Sequence, residues 1–154
     1  MPFVGIDIGG SFLKGAVLDP VGETLHHVVR TAGPQLEIPV RLARTLDPVQ
    51  LAASVVELTD RLVEKVDGTP EGILLSGQMH GLVLLDESHA VLRPPILWND
   101  VRTTDQCIQI EETVGRATLV AETCNPALEG FTAPKVLWVR EHEPEIYDKA
   151  RHIL

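Results

Sequence analysis

Cysteine is scarce in this sequence, with only Cys107 and Cys124 among 154 residues. The two form no Cys-x-x-Cys motif and have no histidine at metal-ligand spacing, so neither a disulfide framework nor a zinc site is expected. Unpaired thiols of this kind are typical of a reducing compartment, which favours a cytoplasmic location.

Long apolar runs and targeting signals are also missing. No window approaches the roughly eighteen apolar residues of a membrane span. The first residues lack the basic segment that opens a secretory signal. We therefore expect a soluble chain without a membrane partner.

Positive charge is the third scarcity. The 13 Lys and Arg residues are outnumbered by 22 Asp and Glu, which gives a formal net charge of −9. No stretch gathers basic residues as a nucleic-acid backbone would require, so nucleic acid is not an expected partner. The negative charge does not exclude nucleotide binding, since backbone N–H groups and one divalent cation can hold a phosphate without a basic surface.

Apolar residues make up 44% of the chain, enough to bury a core in a chain of single-domain length. The sequence contains no internal repeat, low-complexity tract or linker-like stretch. We therefore expect residues 1–154 to form one folded region.

Short apolar runs separated by turns open the chain. The runs at 3–8, 12–18 and 25–29 predict an antiparallel three-stranded meander, followed by a loop at 33–39. A helix then begins at Asp47 and Pro48, because a capping side chain precedes a proline and apolar residues recur at helical spacing up to Gly68.

The rest of the chain mixes strands and helices, which makes the fold class α/β. The patterns predict a buried strand at 73–76, a hairpin of 82–85 with 90–92, helices at 103–114, 116–122 and 134–141, and a strand beginning at 152–154.

The sharpest motif is GIDIGGSFLKG at residues 5–15, where an acidic residue near a strand end precedes a glycine turn, a hydroxyl and a lysine. Gly9 and Gly10 allow backbone N–H groups to approach an anion closely. Ser11 can add a hydroxyl donor to the same anion.

Asp7 and Lys14 supply the charges of this motif. Mg²⁺ keeps several waters and takes few carboxylates, so Asp7 can hold the ion through water, and Lys14 can neutralise phosphate charge. The spacing fits neither the P-loop nor the dinucleotide-binding pattern. A purely structural hairpin turn is the competing interpretation.

This motif resembles the first phosphate loop of the actin-like ATPase and sugar kinase superfamily. Two further stretches narrow the resemblance, SGQMHG at 76–81 and ILWNDVR at 96–102. Together they resemble the xylulokinase members of the FGGY carbohydrate kinases. Residues 130–138 and 142–146 are also similar to that family, so the resemblance extends from residue 3 to the end of the chain.

The resemblance implies a ribonuclease H-like, actin-like ATPase fold, with residues 1–154 forming the N-terminal part of the first domain of such a kinase. It implies ATP and Mg²⁺ as cofactors and D-xylulose as the sugar, phosphorylated to D-xylulose 5-phosphate. The remainder of the first domain and the second domain would then lie outside this chain. Whether the protein forms a homodimer is not decided by the sequence.

The resemblance also assigns roles to individual residues. Asp7 is implied as the catalytic residue beside the metal and phosphates, and Gly9, Gly10, Ser11 and Lys14 as the ATP-binding residues. The sugar-facing residues are Gln78, Met79 and His80, with Trp98 and Asn99 lining the same cleft. Asp100 and Arg102 are expected to pair and so fix their loop.

Some features depart from the family pattern. Gly10 stands where a threonine is usual, and residues 43–48 keep only Asp47 and Pro48 of a Trp-x-Glu-Gln-Asp-Pro stretch. The family's proton-accepting aspartate, second phosphate loop and adenosine pocket would fall beyond Leu154. We therefore expect the isolated chain to be inactive.

Three alternatives stay open. The Asp-Ile-Gly-Gly run also occurs in the glucokinase-like kinases of the ROK family, which lack the Gln-Met-His-Gly and Trp-Asn-Asp turns. A non-catalytic half-kinase that binds a sugar or a partner is the second alternative. An actin-like ATPase is the third, and the sugar-facing turn counts against it.

Overall fold

The computed structural model describes residues 2–9, 12–18, 21, 24–32, 35–37, 44–66 and 68–154. By their internal contacts the residues fall into two compact units, Met1–Leu36 with Leu46–Gln78 and Glu37–Thr45 with Met79–Leu154. The elements in chain order are β1 (Phe3–Ile8), β2 (Phe12–Leu18), β3 (Thr24–Ala32), β4 (Gln35–Glu37), β5 (Arg44–Leu46), α1 (Pro48–Val63), β6 (Gly72–Gly77), β7 (Leu84–Leu85), α2 (Thr104–Val114), α3 (Arg116–Thr123), α4 (Thr132–His142), α5 (Pro144–Lys149) and β8 (His152–Ile153).

The first unit is built on a four-stranded sheet in the order β3-β2-β1-β6. Strand β2 pairs antiparallel with both β1 and β3, so the predicted meander is confirmed. Strand β6 runs parallel to β1. A parallel pair requires a crossover connection, and α1 lies within the crossover between these two strands.

Helix α1 covers one face of the sheet. Because side chains alternate along a strand, every second residue of β1 and β2 points toward the helix. The buried core they form with α1 consists of Val4, Ile6, Leu13, Val17, Leu58 and Leu62. Gly15 lies directly beneath α1, and a Cβ atom there would collide with the side chain of Leu62. The helix therefore sits close to the β2 backbone.

The predicted start of α1 is confirmed. The Oδ1 atom of Asp47 accepts hydrogen bonds from the backbone N–H groups of Val49 and Gln50, at 3.0 and 3.2 Å. These bonds satisfy donors that the first turn of a helix leaves free.

Strand β6 confirms one prediction and corrects another. The strand forms where the apolar run predicted it, but Ile73, Leu74 and Leu75 are 48%, 61% and 63% exposed, so the prediction that it is buried was wrong. The reason is its place in the fold. Among the described residues β6 is the last strand of its sheet, and α1 contacts β1 and β2.

The second unit contains helices α2 to α5 and a small sheet in which β7 pairs antiparallel with β8. The predicted hairpin is confirmed by the backbone bond from Asp86 N–H to the Ala90 carbonyl and by the Leu85–Val91 bridge. Its buried apolar cluster consists of Leu82, Leu84, Ile96 and Val139.

The helices predicted at 103–114, 116–122 and 134–141 and the strand beginning at 152 are confirmed as α2, α3, α4 and β8. Three elements were missed. Helix α5 has only 6 residues, too few to show a periodic pattern. Strand β4, inside the predicted loop at 33–39, and strand β5 have 3 residues each and pair with one another, and strands this short show no alternating pattern. The described part of the chain contains no helix with the length and apolar character that a membrane crossing requires.

Candidate functional site

Asp7 and Lys14 meet near the end of the first hairpin. The strand register places Asp7 of β1 opposite Lys14 of β2 and beside Ser76 of β6. The Lys14 Nζ atom donates to Asp7 Oδ2 at 3.2 Å, and the two side chains are 49% and 48% exposed. An ion pair this exposed contributes at most about 1 kcal/mol, so either partner can exchange it for a metal ion or a phosphate at small cost.

The glycine turn between β1 and β2 is tight. Gly9 N–H donates to the carbonyl of Phe12 at 3.0 Å, and a Cβ atom on Gly9 would lie 2.9 Å from that same oxygen. The turn therefore requires glycine at this position. Its N–H is used inside the hairpin, and its phosphate-binding role stays a prediction. Gly10 and Ser11, also predicted to bind phosphate, lie outside the described residues.

A hollow of about 360 Å³ lies beside the Asp7–Lys14 pair. Asp7 and Lys14 are the charged residues of its lining. The other lining residues are mostly small or apolar and include Gly5, Ala16 and Leu74. One half-exposed carboxylate with open space next to it fits a magnesium ion that keeps most of its waters. The described residues contain no cluster of three or more His, Cys, Asp or Glu side chains able to hold a metal. Asp7 is the carboxylate in the lining of this hollow, and its contact to a metal through water stays a prediction.

His80 adopts an unusual backbone conformation in the second unit. Its φ angle is 61°, in the left-handed region that non-glycine residues seldom occupy. Its ring packs against Phe131, with the ring centroids 4.8 Å apart. Met79, just before it, is exposed. Such backbone strain persists only where the surrounding contacts enforce it, and it is concentrated at ligand-binding positions.

The contacts that hold His80 come from a residue to which the sequence assigned no role. Lys135 is completely buried in the first turn of α4. Its Nζ atom donates to the carbonyl of His80 at 2.6 Å and to the carbonyl of Gly130 at 2.5 Å. The available signal was a lysine followed by the apolar run Val-Leu-Trp-Val at 136–139, which overlaps the stretch at 130–138.

Asp100 and Arg102 form the predicted pair. The Asp100 carboxylate accepts from Arg102 Nη2 at 2.7 Å, from Nε at 2.9 Å and from the backbone N–H at 3.1 Å. Burial raises the pKa of Asp100, but the bonds and charge of Arg102 outweigh it, so the pKa lies below its ordinary value. The guanidinium also lies 4.8 Å from the centre of the Trp138 ring. The predicted pairing of Asp100 with Arg102 is confirmed.

Trp98 and Asn99 are exposed on the turn before Asp100. A Cβ atom on Gly130 would lie 3.1 Å from the Trp98 carbonyl oxygen, so this turn runs close to the loop that Lys135 holds. The structure thus brings the Trp98 turn, Gly130 and His80 together around Lys135. Gln78 follows β6 at the end of the first unit and is exposed.

An apolar cavity of about 250 Å³ lies behind the His80 ring. It is bordered by Phe131, by Ile110 of α2 and by Leu119 of α3. Nothing in the sequence pattern indicated it, because its walls come from three separate helices and the turn at His80.

The comparisons with known proteins agree on carbohydrate kinases. The model of the "FGGY family of carbohydrate kinases, N-terminal domain" matches residues 3–154. The xylulose kinase of Lactococcus lactis is 41% identical over 154 residues, covering 98% of this chain, and that of Bacillus subtilis is 40% identical over 153 residues, covering 95%. A solved xyloylose kinase from Brucella ovis superposes on all of this chain with a TM-score of 0.87 and 31% identity.

These proteins are much longer than this chain. The chain spans 30% and 29% of the lengths of the two curated relatives and 32% of the solved structure. The structural match over the whole chain confirms the predicted fold class, that of the actin-like ATPase sugar kinases.

Proposed function

This chain belongs to the FGGY family of carbohydrate kinases, and from that membership we propose that it is part of an ATP-dependent kinase that converts D-xylulose to D-xylulose 5-phosphate. The observation that carries the proposal is the Asp7–Lys14 pair, which stands beside a glycine turn at the end of β1. The similarity to proteins named xylulose kinase, at high coverage of this chain, supports the sugar.

The phosphate side of the reaction belongs to the first unit. A bound Mg²⁺ would neutralise charge on the phosphates of ATP. Asp7 would hold that ion through water, and Lys14, released from Asp7, would face the phosphate oxygens. Gly9, Gly10 and Ser11 would bring the backbone close to the same phosphates. Transfer of this kind depends mainly on positioning and charge stabilisation.

For the sugar side we propose Gln78, Met79 and His80, together with Trp98 and Asn99. The imidazole of His80 can donate to or accept from a hydroxyl or carbonyl of the ketose, depending on its tautomer. Met79 offers an exposed apolar surface to the carbon chain of the sugar.

We further propose that the chain is the N-terminal part of the first kinase domain. The three exposed aliphatic residues of β6 support this, because a strand that is apolar on both faces normally lies inside a sheet. The proton acceptor for the attacking hydroxyl and the adenosine pocket would then lie beyond residue 154. The free thiols and the use of ATP support a cytoplasmic location.

A sugar panel tests this proposal. The full-length protein would be given Mg·ATP with D-xylulose, D-ribulose, D-fructose, D-glucose, glycerol or no sugar, and the release of ADP followed by a coupled assay. We expect ADP release to depend on sugar and kcat/KM to be highest for D-xylulose. Equal ADP release with and without sugar would instead indicate an ATPase, and a preference for glucose would favour the ROK alternative.

A further inference from the structure

The second unit contains a buried charge that the proposed reaction does not use. Lys135 is fully buried, although lysine is seldom buried unless it is paired. Taking an ammonium group out of water is costly, and an apolar side chain of similar length would fill the same space at less cost. The hydrogen bonds that this amine donates must therefore account for a lysine at this position.

Its two acceptors belong to separate segments of the chain. One is the carbonyl of His80 and the other is the carbonyl of Gly130, which precedes α4. Hydrogen bonds from a charged donor are shorter and stronger than those between neutral groups. A single ammonium thus ties the turn at residues 79–81 to the loop before α4.

This tie acts where the backbone needs support. His80 has a φ of 61°, and the bond from Lys135 fixes the orientation of the carbonyl of that same residue. The His80 ring packs on Phe131, which directly follows Gly130. The Lys135 amine therefore holds the backbone at His80 and at Gly130, next to Phe131, and so supports both rings of the His80–Phe131 pair.

The surroundings keep the amine charged and in place. Burial lowers the pKa of Lys135 to about 8, while the Asp100 carboxylate opposes that shift, so the ammonium form predominates at neutral pH. Asp100 is itself fixed by Arg102. The turn that carries Trp98 lies against Gly130, so movement of the amine would also disturb that turn.

We propose that Lys135 is a positioning residue of the sugar site, whose ammonium group holds the His80 and Gly130 carbonyls so that the His80 imidazole keeps a fixed place and direction. This role rests on the proposed function for its effect on the sugar. The contacts on which it is built belong to the second unit alone.

Kinetics of full-length variants provide the first test. Lys135→Met removes the donors with an unbranched side chain one atom shorter, Lys135→Gln keeps a neutral N–H donor, and Lys149→Met is the control at an exposed lysine. We expect Lys135→Met to raise KM for D-xylulose by about 10-fold, because a displaced His80 imidazole would lose a hydrogen bond to the sugar in both the ground state and the transition state. KM for ATP should stay unchanged, and Lys135→Gln should lie between Lys135→Met and wild type.

A purely structural lysine would behave differently. It would lower Tm and the fraction of active enzyme, and hence the apparent kcat, while KM for the sugar stayed at the wild-type value. That result would overturn the proposal. Failure of both Lys135 variants to fold would overturn it too, because it would show that the amine is needed for the whole unit rather than for the turn.

Histidine-selective NMR separates this inference from the proposed function. The ring signal of His80, assigned with His80→Gln, should shift in Lys135→Met and stay in place in Lys149→Met. This measurement needs no turnover, so it tests the contact even if wild-type protein phosphorylates none of the sugars. Inactive wild type would contradict the proposed function, whereas an unmoved His80 signal would contradict the positioning role.

Discussion

Asp7 is the residue on which the proposed chemistry depends most. Its carboxylate stands half-exposed at the end of β1, where it can leave Lys14 and hold a hydrated cation. An aspartate at the end of a strand before a glycine turn could be recognised in the sequence, because the motif is local. The ion pair with Lys14 was not foreseen, since it depends on the register between two strands.

Replacement of Asp7 by alanine should lower kcat of the full-length protein by about 100-fold or more, the usual cost of removing one electrostatic contact to the reacting group. Steady-state ADP release in the presence of D-xylulose measures it. Asp60→Ala, at an exposed position on α1, is the matched control and should leave kcat unchanged. Full activity of Asp7→Ala would remove the metal role of this residue.

The lowered pKa of Asp100 predicts that the stability of the fold depends on pH. Its pKa in the folded protein lies below the ordinary 3.8, so the unfolded chain binds the proton more readily at acidic pH. The stabilising effect of its charge is therefore complete above about pH 4 and is lost as the pH falls through the folded pKa. We expect Asp100→Asn to lower the free energy of unfolding by roughly 1–3 kcal/mol at pH 7 and by clearly less at pH 3.

Urea unfolding at the two pH values measures this difference. Asp148→Asn, at an exposed aspartate of α5, should lose little at either pH. An equal loss for Asp100→Asn at pH 7 and pH 3 would show that the pair with Arg102 does not depend on the carboxylate charge.

At the scale of elements, α1 was predicted well because its signals are local: a capping aspartate, a proline in the first turn and apolar residues at helical spacing. The exposure of β6 could not be predicted. An apolar run is the same in the sequence whether or not neighbouring elements cover it, and here α1 packs on β1 and β2. Similarly, Lys135 contacts a carbonyl 55 residues away, which no local pattern encodes.

The packing of α1 on the hairpin provides an element-scale prediction. Leu62 is fully buried against β2 next to Gly15, so Leu62→Ala should lower the free energy of unfolding by about 2–5 kcal/mol. Val56, on the exposed side of the same helix, is the control, and Val56→Ala should change stability by less than about 0.5 kcal/mol. Equal losses in urea unfolding would contradict the assigned face of α1.

At the scale of the whole molecule, the division into two compact units was not visible in the sequence, because no linker-like stretch separates them. The fold class was visible, since the motifs at 5–15, 76–81 and 96–102 resemble one family and the structural match covers the entire chain. The proposed phosphate-binding residues Asp7 and Lys14 lie in the first unit, and His80 lies in the second.

The exposed strand β6 makes a whole-molecule prediction for residues 1–154 expressed alone. Three large aliphatic side chains on an edge strand favour pairing between copies, so we expect self-association in light scattering. Leu75→Lys should reduce it, because a charge on an edge strand opposes pairing. Val56→Lys, on exposed α1 surface, should not. A monomer whose scattering is the same in all three proteins would contradict the role of the exposed β6 side chains in self-association.

The central claim is that this chain is part of a kinase that transfers phosphate to a ketose. ³¹P NMR of the full-length protein with Mg·ATP and D-xylulose tests it most directly, because it separates transfer to sugar from hydrolysis. We predict that ADP and a sugar phosphate ester, identified as D-xylulose 5-phosphate, appear in equal amounts and only when the sugar is present. The appearance of ADP with inorganic phosphate and no ester would contradict the claim.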